Sequence, residues 1–162
     1  MNDYTDLLYT LLSIVIFSLL MVQANHVVLA SEEAISVHEY EKTALALAQS
    51  VIDEARKTAF DQNTVDPADM PEGFREAHEF GPPAGMALDR HDFSVFDHYH
   101  GLQETVSTVL GNFDISATVT YVESTAPFQV AAGPTFSKRL VVEVGHAESE
   151  GSVSMSYIKT FF

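Results

Sequence analysis

No cysteine occurs in this 162-residue chain, which excludes disulfides and zinc–thiolate sites and leaves the redox compartment unmarked. No lysine or arginine precedes Lys42, so a basic flank cannot orient a membrane segment at the N-terminus. Basic residues are scarce throughout, 8 against 23 acids, and the formal charge is −15. That balance argues against nucleic acid or an anionic lipid surface as partner, since both are bound by Lys and Arg. It fits a surface exposed outside the cell. Proline and glycine are missing from Met1 to Asp66; the first of each are Pro67 and Gly73. Nothing in that stretch breaks a helix, and sixty helical residues at about 1.5 Å each span roughly 90 Å.

The proline-free stretch changes character along its length. Leu7 to Val22 reads LLYTLLSIVIFSLLMV, uncharged, and is followed by Gln23, Asn25, His26 and Val27 to Ala30. Taken from Leu7 to Ala30, it is long enough to cross a bilayer. A secretory signal peptide carries a basic n-region, whereas this chain starts MNDYTD with two acids. Either a basic leader has been removed or the segment is inserted by other means. Thr10, Ser13, Ser18, Gln23, Asn25 and His26 suit contact with other helices; a plain single-span anchor is the alternative.

From Ser31 to Phe60 the composition becomes amphipathic. Ala34, Val37, Ala44, Ala48, Val51, Ala55 and Ala59 recur every three or four residues, widened by Leu45, Leu47 and Ile52 and interrupted by Glu41. Glu39, Lys42, Gln49, Asp53, Glu54, Arg56 and Lys57 form the opposite face. A stripe rich in alanine lets a sheet or helix approach the backbone closely.

Periodicity is lost from Asp61 to Gly101, where Pro67, Pro71, Gly73, Gly81, Pro82, Pro83 and Gly85 interrupt any long element. A short helical turn is expected within Gly73 to Phe80. Asp89 to Gly101 gathers three histidines and three aspartates. Both residue types ligate zinc and other first-row metals, so metal binding is one reading. There is no HExxH-like spacing, however. Alternation with aromatics favours a structural loop pinned by Phe93, Phe96 and Tyr99, with His91, His98 and His100 at least partly wet. Nothing resembles a nucleophile with its base, a phosphate loop or a paired-carboxylate hydrolase. No catalytic residue, metal ligand or cofactor is assigned, and the chain is not expected to be an enzyme.

The C-terminal region alternates cleanly. Phe113, Ile115, Ala117, Val119 and Tyr121 share one face of a strand over Phe113 to Glu123; Leu140, Val142 and Val144 share one over Ser137 to Val144. Val153, Met155 and Tyr157 do so within Ser152 to Phe162, with Arg139 and Glu143 outward. Loops over Ser124 to Phe136 and Gly145 to Gly151 would join three strands into an antiparallel meander. Its apolar face needs a cover, and the alanine stripe is the long amphipathic candidate. Ala44, Ala48, Val51 and Ala55 are therefore expected against Ile115, Val119, Val142 and Met155.

This combination resembles the type IV pilins and pseudopilins. The distal part resembles minor pilins of the mannose-sensitive haemagglutinin group through ALALAQSVIDEA (Ala44 to Ala55), FDHYHG (Phe96 to Gly101), FDISATVTYV (Phe113 to Val122) and RLVVEV (Arg139 to Val144). The basic leader ending in Gly and the FTLIE-like start of that family are not in the chain. Asp6 lies near the position of the family's Glu at the fifth mature residue; Asp3 is an additional acid.

The resemblance implies an α+β fold: a long N-terminal helix with a projecting apolar half, packed on a small C-terminal antiparallel sheet. It implies three regions: residues 1–30 as the transmembrane or filament-core half, 31–62 as the amphipathic half, and 63–162 as the head. It implies a structural subunit of a type IV pilus-like or pseudopilus-like extracellular filament. Such a subunit would form a helical homo-oligomer at the cell surface through its N-terminal helix and reside in the inner membrane before assembly. Leu12, Ile16 and Leu20 would lie in the filament core, with Asp3 or Asp6 paired inside it, for instance with a neighbour's terminal amine. The alternatives are a membrane-anchored accessory subunit of a secretion or envelope complex that never polymerises, and a metal-dependent enzyme tethered at its N-terminus.

Overall fold

The computed structural model describes residues 3–64, 73–83, 89–123, 125–147 and 151–161, without the side chains of residues 3, 30, 33 and 34. The first element, α1, runs without interruption from Asp3–Lys57, as expected where neither proline nor glycine is available to break it. Contacts within the chain divide it into two compact units, Met1–Glu39 and Tyr40–Phe162. In the first unit no residue of the apolar segment Tyr4–Leu29 is buried.

The second unit holds the end of α1 and five strands: β1 (Leu102–Thr108), β2 (Gly111–Glu123), β3 (Ala126–Val130), β4 (Ser137–His146) and β5 (Ser152–Thr160). The sheet order is β1-β2-β4-β5, with β3 also paired to β2, and every pairing is antiparallel. The protein is thus α+β, a helix packed on a small antiparallel sheet.

Two strands go beyond the three-strand expectation. β1 escapes the alternation test because, after Leu102, its inward positions continue with Glu104 rather than an apolar residue. Glu104 instead pairs with Arg90 at 3.5 Å, and Arg90 also reaches Glu54 on α1 at 3.1 Å. β3 is only five residues long and contains Pro127, a residue confined to edges because it cannot donate to a ladder. Residues Thr108 and Gly111 pair across the tight β1–β2 turn. Gly111 has φ 111°, and a Cβ there would stand 2.8 Å from His146 Nε2, so only glycine fits without displacement.

The core lies between α1 and the sheet. Ala44, Ala48, Val51, Ile52 and Ala55 share one buried cluster with Phe113, Ile115, Ala117, Val119, Leu140, Val142 and Val144. Met155 is half-buried against that cluster, and Leu45 on the flank of the stripe is exposed. Alanine at the contact is what permits the approach: Ala48 and Ala55 have no exposed surface left.

Lys159 of β5 closes the end of the helix. Its ammonium donates to the carbonyls of Ala55 at 3.4 Å and Arg56 at 3.2 Å, and to that of Thr58. A cation there satisfies carbonyls that have no helical partner and opposes the negative end of the helix dipole.

Replacing Ala48 with Glu puts a charge and four extra heavy atoms into a fully closed position. The expected cost is on the order of several kcal/mol, enough to abolish the folded second unit. Circular dichroism and thermal melting of the variant check this; a parent-like melt would show that the helix–sheet contact is not as described.

Candidate functional site

Two features stand apart from ordinary core and surface. The first is the apolar helix surface. Over Tyr4–Leu29, a segment of mean hydropathy 2.2, all large hydrophobic side chains are exposed. Leu12, Ile16 and Leu20 retain 51, 50 and 62% of their accessible surface. Asp6 is exposed as well, while the Asp3 side chain lies outside the described residues.

The hydroxyls read as helix-contact groups bond within their own helix. Thr10 Oγ1 donates to the Leu7 carbonyl, Ser13 Oγ to that of Thr10 and Ser18 Oγ to that of Ile14, each at 2.8 Å. Satisfied this way, they suit lipid as well as a neighbouring helix.

The second feature is a lysine inside the sheet unit. Lys138 is fully buried, and its Nζ donates to Asp61 Oδ2 at 2.6 Å, Asp97 Oδ1 at 2.6 Å and the Phe60 carbonyl at 3.1 Å. Three ring faces surround the ammonium, with centroids at 4.5 Å (Phe60), 5.0 Å (Phe80) and 5.1 Å (Tyr121). Both aspartate side chains are fully buried too.

Local structure explains how these groups meet. Lys138, Leu140, Val142, Val144 and His146 alternate along β4, so Lys138 takes the first inward position of a buried row. Tyr121 stands opposite it on β2. Asp61 follows the end of α1. Asp97 belongs to a short 3-10 turn, Phe96–Tyr99, tied to that exit because Ala59 and Val95 form a parallel bridge. The Ala59 amide donates to Ser94 O at 3.0 Å and the Phe96 amide to Ala59 O at 2.9 Å.

The two carboxylates differ in surroundings. Asp61 also accepts from the amides of Asn63 at 3.1 Å and Arg75 at 3.2 Å. Burial alone would raise its pKa, but Lys138 and those amides outweigh burial and hold it below the usual carboxylate value. Asp97 uses Oδ1 on Lys138, and its buried Oδ2 has no hydrogen-bond partner. Burial dominates there, opposed by the Lys138 charge, and pushes its pKa up to about 6. Burial, reinforced by both aspartates, also raises the Tyr121 phenol, which donates to Arg75 O at 2.7 Å.

Among the histidines, the expectation of partial wetness fails at His98, whose exposure is 1%. Its Nε2 lies 3.2 Å from Gln62 Oε1 and its ring packs edge-on against Phe93 at 5.7 Å. Burial, then the Arg75 charge, lowers its pKa and favours the neutral ring. His91 is exposed and His100 is partly buried, its Nδ1 accepting from the Val119 amide at 3.2 Å. Phe93, Phe96 and Tyr99 are all buried. Pro67, Pro71 and Gly85 lie outside the described residues. Among the described residues, no three His, Asp or Glu side chains are grouped to hold a metal.

Sequence reasoning did not find Lys138 and its carboxylates as a unit. One signal was there: Lys138 has the same parity as Leu140, Val142 and Val144, which directs it inward. No protein-family model, curated protein or solved structure matches the chain.

Lys138→Met should destabilise the sheet unit by about 3–5 kcal/mol, because it strands two buried carboxylates. Adding Asp61→Asn and Asp97→Asn to that variant should recover part of the loss. Denaturant unfolding of the three proteins measures both effects.

Proposed function

We propose that this chain is the structural subunit of a pilus-like or pseudopilus-like filament, polymerising through the N-terminal half of α1. The observation that carries the reading is the apolar segment Tyr4–Leu29, whose large hydrophobic side chains are all exposed. An unpartnered patch on that scale exceeds what a soluble monomer tolerates, so lipid or other copies of the chain must cover it.

A filament uses both in turn: lipid before assembly, neighbouring helices after it. Packing is the whole mechanism. Leu12, Ile16 and Leu20 meet neighbouring rods, and Asp6 finds a cation inside the bundle, since an unpaired carboxylate in apolar surroundings is costly. A small sheet-bearing unit with its own core supports the same reading, because it can remain folded while the apolar helix exchanges lipid for protein.

Ile16→Asp in the full chain should abolish filaments in material sheared from cells and leave the circular dichroism of the sheet unit unchanged. Filaments formed as efficiently as by the parent would overturn the proposal. Monodisperse parent chain in its native membrane, with no filaments on cells, would support the accessory-anchor alternative.

A further inference from the structure

A lysine with no solvent access, held between two carboxylates inside a ring of aromatics, is placed for chemistry as well as for pairing. We infer that Lys138 and Asp97 are the partners of an intramolecular isopeptide bond, with Asp61 as the group that moves the protons.

The roles follow from the contacts. Asp61 is secured on both oxygens: Oδ1 accepts the Asn63 amide, and Oδ2 the Arg75 amide and Lys138. It is built to remain a carboxylate and to serve as base. Asp97 has a buried Oδ2 with no hydrogen-bond partner, so one oxygen is free to carry a proton and then to leave. The amine nitrogen already lies 2.6 Å from the other oxygen of the same carboxyl.

The balance closes without any further reactant. A proton passes from the Lys138 ammonium to the Asp97 carboxylate, leaving a neutral amine beside a neutral acid. Nζ attacks Cγ of Asp97 and forms the C–N bond. Asp61 takes a proton from the nitrogen and returns it to the departing oxygen; the C–O bond breaks and one water leaves. The product is a secondary amide, and Asp61 ends as it began.

Two physical terms favour the reaction here. In water, condensation of an ammonium with a carboxylate runs against the solvation of both ions. In the interior that solvation is already lost, and the amide removes one buried charge of each sign. The Asn63 and Arg75 amides remain on Asp61 to offset the loss of its cation. Fixed contact supplies the rest, since oriented intramolecular partners reach effective concentrations on the order of 10⁵–10⁸ M. The bond would tie the turn beside the α1 exit to the start of β4, across a sequence separation of 41 residues. It does not depend on the filament reading.

Mass spectrometry of the full chain after incubation at neutral pH tests the inference. Glu104 and Glu123 lie between the two partners, so a glutamate-specific protease should separate them unless they are bonded. The expected result is one joined pair of segments, one containing Asp97 and one Lys138, lighter than their sum by one water. Trypsin should also fail to cut after Lys138.

Lys138→Met and Asp97→Ala should each release the segments as separate peptides, a readout that holds whether or not the variant folds. Asp61→Asn should leave most of the chain unlinked. The inference is overturned if the parent gives separate segments of unreduced mass, or if the water loss maps to a single linear peptide. Linkage in Asp61→Asn at the parent's rate would remove Asp61 from its role.

Discussion

A charged amine cannot remain in a protein interior without acceptors, and the way this chain supplies them to Lys138 organises its sheet unit. The acceptors come from segments far apart in sequence: the residues just past α1 and the turn that carries Asp97. Phe60, Phe80 and Tyr121 exclude water around them. Removing water strengthens each contact and raises the cost of losing any one of them. Asp61, just past α1, and Asp97, in the turn ahead of β1, are thereby fastened to β4.

The rest of the unit is fitted around a second constraint, the close approach of α1 to β2 and β4. Alanine at 44, 48 and 55 supplies the space, and the inward rows of both strands fill it. Lys159 then closes the helix end from β5. Beyond the helix end, the Phe60 carbonyl accepts from Lys138 and its ring covers the ammonium. The N-terminal segment has no such interior. The hydroxyls of Thr10, Ser13 and Ser18 are satisfied within the helix, and its large apolar side chains are exposed.

The helix, its alanine stripe and the strands at 113, 137 and 152 were legible because each is a local period, 3.6 or two, repeated over many residues. β1 was hidden by Glu104, whose partner Arg90 is remote in sequence, and β3 by its shortness and proline. His98 looks wet in a stretch rich in aspartate, yet it is buried, packed edge-on against Phe93 and bonded to Gln62. The Lys138 cluster was least legible. Parity places the lysine inward, but nothing local says which carboxylates will meet it. Asp61 and Asp97 come together through the Ala59–Val95 bridge and the His98–Gln62 contact, both long-range in sequence.

The central functional claim concerns what covers the exposed apolar helix, and electron microscopy of surface material sheared from cells, labelled with antibody to the sheet unit, addresses it most directly. The account predicts labelled filaments whose three-dimensional reconstruction places residues 4–29 of many copies side by side in the core, with the sheet units outside. Label confined to the cell membrane as single copies, with no labelled filament in the sheared fraction, would contradict it.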